Sequence, residues 1–402
     1  MLHYETLLAQ YAPAPINIYI SGDEEIAELF YTSGSTGIPK GVMLSHRALY
    51  LHALACTIIQ IDPATTVDLM TIPMFHANAW GRVHASTMQG ITQVMVRRFD
   101  AAAVLGMIQR YRATDMAIIP LMGQALLNVP DRASFDLSSM RQIQIGGAAS
   151  SKSLIEQMEQ LFRCQVYAGY GLTESGPVVA MARLKWDARE VPQQERWRRQ
   201  AMTGWSIAGA TLRVVNERMQ DVPKDERTMG ELIVSADWLM SGYYKDPEGT
   251  AAVLTGPACE PGGAPGAAVW LHTGDMAVWD DESYITIVDR KKEIIISGGE
   301  NVSSLEIEKE LYAHPAVLEC AVVAAPDDKW GEVPAAIVLA KDGHTITEQE
   351  LLYHLNGRLS RFKLPRLIRF VSEPLPKTGT GKIKKMDLRE PFWKGQEKRV
   401  KG

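Results

Sequence analysis

Thr32–Val42 reads TSGSTGIPKGV. Three glycines in this stretch let the backbone take unusual dihedrals and approach a ligand closely. Thr32, Ser33, Ser35 and Thr36 add hydroxyl donors, and Lys40 adds a cation. Donors and a cation on a permissive backbone suit a polyphosphate. The spacing GxxxxGK[ST] is not met, so the stretch is not a Walker A loop. Its neighbours place it in a fold. Ile26–Thr32 (IAELFYT) has the β-rich pattern of a strand, and Ser45 stands where it would cap a helix running to about Gln60.

Further along, Thr114–Pro120 (TDMAIIP) and Gln142–Ile145 (QIQI) read as buried strands. Ser153 and Glu156 have capping-box spacing ahead of a helix on which Leu154, Met158, Leu161 and Phe162 share one face. Arg183–Arg199, with Trp186 and Trp197, reads as a surface excursion, and Thr255–Ala268 as a glycine- and proline-rich loop. Strands alternating with helical patterns predict α/β architecture. From about Lys292 the pattern restarts as a strand (EIII), a glycine turn (SGGEN), a helix opened by Ser303 and Glu306, strands at CAVVAAP and PAAIVLA, and a helix opened by Thr347 and Glu350. This is a small α+β unit of plausible domain size. The expected organisation is a large domain over 1–290 and a small C-terminal domain over 291–402.

The 402 residues are 46% apolar and 22% charged, enough for a sizeable core, and a net charge of −5 gives no overall basic field for nucleic acid. Cys56, Cys164, Cys259 and Cys320 form no CxxC pair, and the nine histidines form no HExxH. They read as reduced thiols in a cytoplasmic protein. No basic-then-apolar leader and no apolar run of spanning length is present.

Four further segments follow the loop. Gly146–Ala149 is GGAA; Tyr170–Glu174 is YGLTE; Asp275 lies in HTGD and Arg290 in VDRKKE; Lys382 lies in PKTGTGKIKK. Taken singly, GLTE is a helix start, the two charges are surface charges, and the tail is a solvated basic stretch. In this order and spacing, with the loop, they resemble the adenylate-forming (AMP-binding) superfamily, in particular acyl-CoA synthetases. The likeness covers Ile26 to the C-terminal region. It implies a multi-layer α/β adenylation domain with a mobile C-terminal domain. Thr32, Ser33, Gly34, Ser35, Thr36, Gly37 and Lys40 would hold phosphates. Gly147 and Ala148 would pass beside adenine and the acyl group, although many relatives have proline where Ala149 stands. Tyr170 and Gly171 would hold adenine, Thr173 phosphate, and Glu174 Mg²⁺. Asp275 and Arg290 would grip the ribose diol. Lys382 would bridge the carboxylate and the α-phosphate, and Lys292 would be the hinge between domains. Ser297, Gly298, Gly299 and Trp330 resemble segments along the pantetheine path of CoA ligases.

The implied reaction makes an acyl-adenylate from a carboxylic acid and ATP, then passes the acyl group to coenzyme A. Pro73–Trp80 (PMFHANAW) resembles the segment bordering the acyl pocket, with His76 shaping or gating it. It carries no acid to pair an α-amino group, which argues against an amino-acid substrate. Ala77, Ala79, Ala148 and Ala149 leave room for a chain or ring. A medium- or long-chain fatty acid is the expected substrate, with an aromatic acid second. In the family a large N-terminal subdomain precedes the phosphate loop, so the expectation is a chain lacking it. Loading of a carrier protein, or a nucleotide-binding but inactive fragment, are the other readings.

Overall fold

The computed structural model describes residues 4–11, 22–32, 39–58, 62–186, 190–259, 268–377 and 383–394. Strands β1 (Ile26–Thr32) and β2 (Lys40–Ser45) pair antiparallel, with Thr32 opposite Lys40. Strand β2 therefore stands between the Thr32–Gly37 stretch and the helix. Ser45 does cap that helix, His46–Thr57, accepting from the Ala48 amide.

The central layer is a seven-stranded sheet. Its members are β3 (Val67–Met70), β4 (Thr92–Met95), β5 (Asp115–Ile118), β6 (Gln142–Ile145), β7 (Gln165–Gly171), β8 (Val178–Met181) and β9 (Trp205–Ser206), in the order β4-β3-β5-β6-β7-β8-β9. The first five in that order run parallel; β8 pairs antiparallel with β7, and β9 antiparallel with β8. Helices cover both faces, so β5 is buried throughout, and after Asp115 its residues are consecutively apolar rather than alternating. Met116 and Ile118 meet Val104, Leu105 and Ile108 of helix Ala101–Tyr111 and Leu154, Met158 and Phe162 of helix Lys152–Phe162. Ala117 faces the other way, into a core with Ala48, Cys56, Ala85 and Trp80. Truncating a fully buried aromatic such as Phe162 to alanine costs about 3–5 kcal/mol.

The helix that carries Phe162 starts two residues earlier than the Ser153 pattern suggests. Ser151 is its cap and accepts from the Leu154 amide, so Ser153 lies inside the first turn. Leu161 is only half-buried, and Ile155 takes the core position beside Leu154. Part of the arginine-rich stretch is also structured: Gln193–Gln200 is helical, and Trp197 donates to Glu159 at 2.9 Å, while Trp186 is exposed.

A second sheet is antiparallel. It contains β10 (Ala210–Val215), β11 (Gly230–Ala236), β13 (Leu254–Thr255), β14 (Trp270–Trp279) and β15 (Ile285–Arg290), while β12 (Gly242–Tyr243) pairs with β2. A third holds β16 (Ile295–Ser297), β17 (Glu300–Val302), β18 (Val317–Asp327), β19 (Gly331–Ala340) and β20 (Leu367–Val371). In β18 the period of two sends Val322 and Ala324 toward the helices Ser304–Tyr312 and Glu348–Leu355, and Ala321, Val323 and Ala325 toward Leu375 and Phe392. Ser303 and Thr347 cap these two helices as expected. The buried Asp289 carboxylate on β15 accepts from the Ser304 amide and hydroxyl, where a helix N-terminus favours negative charge. Among the described residues no helix is long and apolar enough to cross a membrane.

Helix His46–Thr57 carries a fully buried imidazole. His52 Nε2 lies 3.1 Å from the Val178 amide and 3.2 Å from the Val178 carbonyl. Burial lowers the His52 pKa from 6.5 to about 4. The unfolded chain thus binds a proton that the folded chain refuses between those values. Stability from this group is full above pH 6.5 and falls as pH drops toward 4, by about 3 kcal/mol in total. Urea unfolding at pH 7.5 and 4.5 should show His52→Gln losing about 2–3 kcal/mol less than wild type over that interval; equal losses would contradict the assignment.

Candidate nucleotide and acyl site

Parallel strands deliver their following loops to one edge of a sheet, where α/β proteins commonly bind ligands. Three of the sequence-predicted segments meet that condition. Pro73–Trp80 follows β3, Gly146–Ala149 follows β6, and Tyr170–Glu174 straddles the end of β7.

The first of these is strained. Ala77, Asn78, Ala79 and Trp80 have φ of 45°, 50°, 49° and 62°, a left-handed turn closed by Gly81. Such a turn costs roughly 1–2 kcal/mol per non-glycine residue. Its surroundings hold it in place. Asn78 donates to Glu28 on β1, and His84 Nε2 lies 3.3 Å from the same carboxylate. The turn also puts Trp80 against the glycine strip: a Cβ added to Gly146 would lie 3.1 Å from the indole, and one on Gly147 at 3.4 Å. Gly147 and Ala148 are exposed at this edge. His76, half-buried, begins the turn and donates its amide to Pro73 O at 3.0 Å.

The second cluster joins two sheets. Asp275 on β14 lies opposite Arg290 on β15, and Arg290 Nε donates to Asp275 Oδ1 at 2.7 Å. Tyr170, at the end of β7, donates its hydroxyl to Asp275 Oδ2 at 2.6 Å. Burial, and then the Asp275 charge, hold the Tyr170 pKa well above its ordinary value, so the phenol remains a donor. Burial opposes the Arg290 charge, but Asp275, Tyr170, Glu293 and Glu174 outweigh it and raise its pKa. A carboxylate beside a guanidinium offers acceptor and donor together, the complement of a diol.

Glu174 sits one short turn beyond Tyr170, in Thr173–Ser175. Its Oε1 accepts from the Tyr243 hydroxyl at 2.9 Å, and its main-chain carbonyl accepts from the Met240 amide at 3.0 Å. Lys40 Nζ lies 4.4 Å from the centre of the Tyr243 ring and 3.2 Å from Asp246 Oδ2. Among the described residues no three His, Cys, Asp or Glu side chains form a metal-holding group. The single carboxylate of Glu174 instead suits Mg²⁺ arriving with phosphate and water ligands, the usual way this ion is bound.

In the C-terminal sheet, Gly298 and Gly299 turn with φ of 62° and 90°. The Gly298 amide donates to Trp330 O at 2.8 Å, and a Cβ there would lie 2.5 Å from the indole. Buried Ser297 adjoins them, so all four predicted residues are together. Lys292 is exposed in the turn between β15 and β16. Ser33, Gly34, Ser35, Thr36, Gly37 and Lys382 lie outside the described residues.

Tyr243, Asp246 and Trp80 join the site in the structure without standing in a motif that marks them as ligands. For the first two a local signal exists: in SGYYKDPEG, Asp246 caps a short helix with proline at its first position, which fixes the preceding strand against β2.

A profile of the AMP-binding enzyme family matches residues 9–244, and one of its C-terminal domain matches 306–382. The chain belongs to the AMP-binding enzyme family. It is 37% identical over 395 residues to a long-chain-fatty-acid–CoA ligase of Thermus thermophilus, covering 97% of this chain and 70% of that protein. It is 38% identical over 366 residues to a 2-methylpropanoate–CoA ligase of Humulus lupulus, covering 90% and 63%. The structure of o-succinylbenzoate CoA synthetase from Bacillus subtilis with its acyl-adenylate superimposes with a TM-score of 0.81 at 26% identity, over 95% of this chain and 73% of that one. The chain thus spans about two thirds of the length of its curated relatives, and those named as ligases join acids to thiols.

If Asp275 and Arg290 take the ribose, Asp275→Asn should weaken Mg²⁺·ATP binding by about tenfold or more, because a charged acceptor becomes a neutral one. Calorimetric titration measures this; an unchanged affinity in a variant that still folds would remove Asp275 from the site.

Proposed function

We propose that the chain activates a carboxylic acid with ATP and transfers the acyl group to coenzyme A. The observation that carries this reading is the meeting of Asp275, Arg290 and Tyr170 beside Glu174 and Lys40, at the edge where Trp80 flanks Gly146 and Gly147.

In the first step a carboxylate oxygen attacks the α-phosphorus and the bond to pyrophosphate breaks. Such phosphoryl chemistry needs positioning and charge neutralisation more than covalent help. Lys40 and the Thr32–Gly37 loop supply donors to the phosphates, Thr173 a hydroxyl, and Glu174 the hard oxygen ligand for Mg²⁺. Asp275 and Arg290 orient the ribose, and Tyr170 presents its ring to adenine. Lys382 offsets the charge that builds on the reacting carboxylate and phosphate. In the second step the thiol attacks the acyl carbon and AMP leaves. Ser297–Gly299 and Trp330 would border the thiol's arm, and rotation at Lys292 of a small domain, 291–402, against the larger one, 1–290, would bring them in place of Lys382.

A medium- or long-chain fatty acid is the proposed substrate. Exposed Ala148 is small and apolar, and the Pro73–Trp80 segment carries no acidic residue of its own. The long-chain preference named for the Thermus relative supports the same choice. Four free cysteines fit a cytoplasmic site of action.

Pyrophosphate release by the 402-residue chain, with Mg²⁺·ATP and a ladder of fatty and aromatic acids, should be acid-dependent and greatest with the longer fatty acids. Acyl-CoA should form when CoA is added. Lys382→Ala should slow pyrophosphate release by roughly 100-fold or more, as expected for removal of one charge-stabilising donor. Acid-independent release, or none from a folded chain, would overturn the adenylation reading. Release without thioester would transfer the acceptor role from CoA to a carrier protein.

A further inference from the structure

Tyr243 lies between two groups that the proposed reaction uses and that come from distant parts of the chain. Its hydroxyl donates to Glu174 Oε1 at 2.9 Å, and the face of its ring lies 4.4 Å from Lys40 Nζ. The ring is fixed from several sides. Tyr243 pairs with Val42 on β2, its amide donates to the Thr250 hydroxyl at 2.8 Å, and its side chain is buried among Val42, Leu44 and Val179. A second constraint acts on the lysine. Asp246 Oδ2 lies 3.2 Å from Lys40 Nζ, and Asp246 is itself held by the Gly249 amide at 2.8 Å.

We propose that Tyr243 is a positioning residue: it aims the free oxygen of Glu174 at the Mg²⁺ of Mg²⁺·ATP while its ring steers the Lys40 ammonium toward the phosphates. The inference rests on the reading of Glu174 and Lys40 as the metal and phosphate ligands. One carboxylate oxygen committed to a neutral donor keeps the full negative charge on the group but removes its rotational freedom. Outer hydrogen bonds of this kind orient metal ligands, and their loss commonly costs 10–100-fold in metal affinity. The aromatic face attracts the ammonium without neutralising it. Asp246 compensates Lys40 when no phosphate is near, and yields it when a more highly charged partner arrives.

Tyr243→Phe removes the hydroxyl and keeps the ring. The Mg²⁺ concentration that half-saturates ATP binding, measured by calorimetry, should rise about tenfold, whereas ATP affinity in the presence of EDTA should stay within about twofold, because the ring still faces Lys40. Melting temperature should change little, and Tyr244→Phe, one residue on, should leave the Mg²⁺ dependence as in wild type. If wild type binds Mg²⁺·ATP and Tyr243→Phe shows the same Mg²⁺ dependence, the positioning role is wrong and the nucleotide site stands. Equal weakening with and without Mg²⁺ would assign Tyr243 a merely structural part and also overturn the proposal. A folded wild type that does not bind Mg²⁺·ATP at all overturns both readings.

Discussion

The Asp275 carboxylate is the joint on which the site depends. It is almost wholly buried, yet it accepts from Arg290 on the neighbouring strand and from Tyr170 at the end of the parallel sheet. A buried charge is tolerated only when paired and hydrogen-bonded. The need to satisfy this one therefore ties the antiparallel sheet to the parallel one. Because Glu174 follows Tyr170 by one turn, the same tie sets where the Glu174 carboxylate, proposed to hold Mg²⁺, stands. The glycine strip after β6 and the left-handed turn after β3 then close the edge from the other side.

Among the described residues, the ionic groups proposed for the nucleotide have partners inside the protein: Asp275 has Arg290 and Tyr170, Glu174 has Tyr243, and Lys40 has Asp246. Binding Mg²⁺·ATP is then an exchange of partners rather than a first neutralisation. Such exchange keeps the site from presenting unpaired charges in a half-buried setting, and it makes affinity a difference between two paired states. The half-exposed Lys40–Asp246 pair is worth little by itself, so Lys40 is readily surrendered. The buried Asp275 pair is not, and under the proposed reading the ribose would share the carboxylate with the residues that hold it.

Much of this was legible in the sequence because it is local. IAELFYT and QIQI are strands over the expected residues; Ser45, Ser303 and Thr347 cap their helices. Where the reading slipped, two local signals competed. Ser151 and Ser153 both have the side chain of a cap, and it is Ser151 whose hydroxyl accepts from the Leu154 amide. The strand Lys40–Ser45 was hidden by its lysine and glycine, and its place is settled by pairing with β1 and β12, which are far apart in the chain. For Tyr243 the local signal in SGYYKDPEG marks only the cap and the strand before it; its contacts with Glu174 and Lys40, 69 and about 200 positions away, follow from no spacing rule. The left-handed turn at Ala77–Trp80 contains no run of glycines to announce it.

The account stands or falls on the acid reaching AMP through a shared oxygen. The direct test supplies the preferred acid with both carboxylate oxygens as ¹⁸O, together with Mg²⁺·ATP and CoA, and analyses the products by mass spectrometry. Formation of an acyl-adenylate predicts one ¹⁸O in AMP and none in pyrophosphate. Label appearing in inorganic phosphate beside ADP, or AMP formed without label, would contradict it.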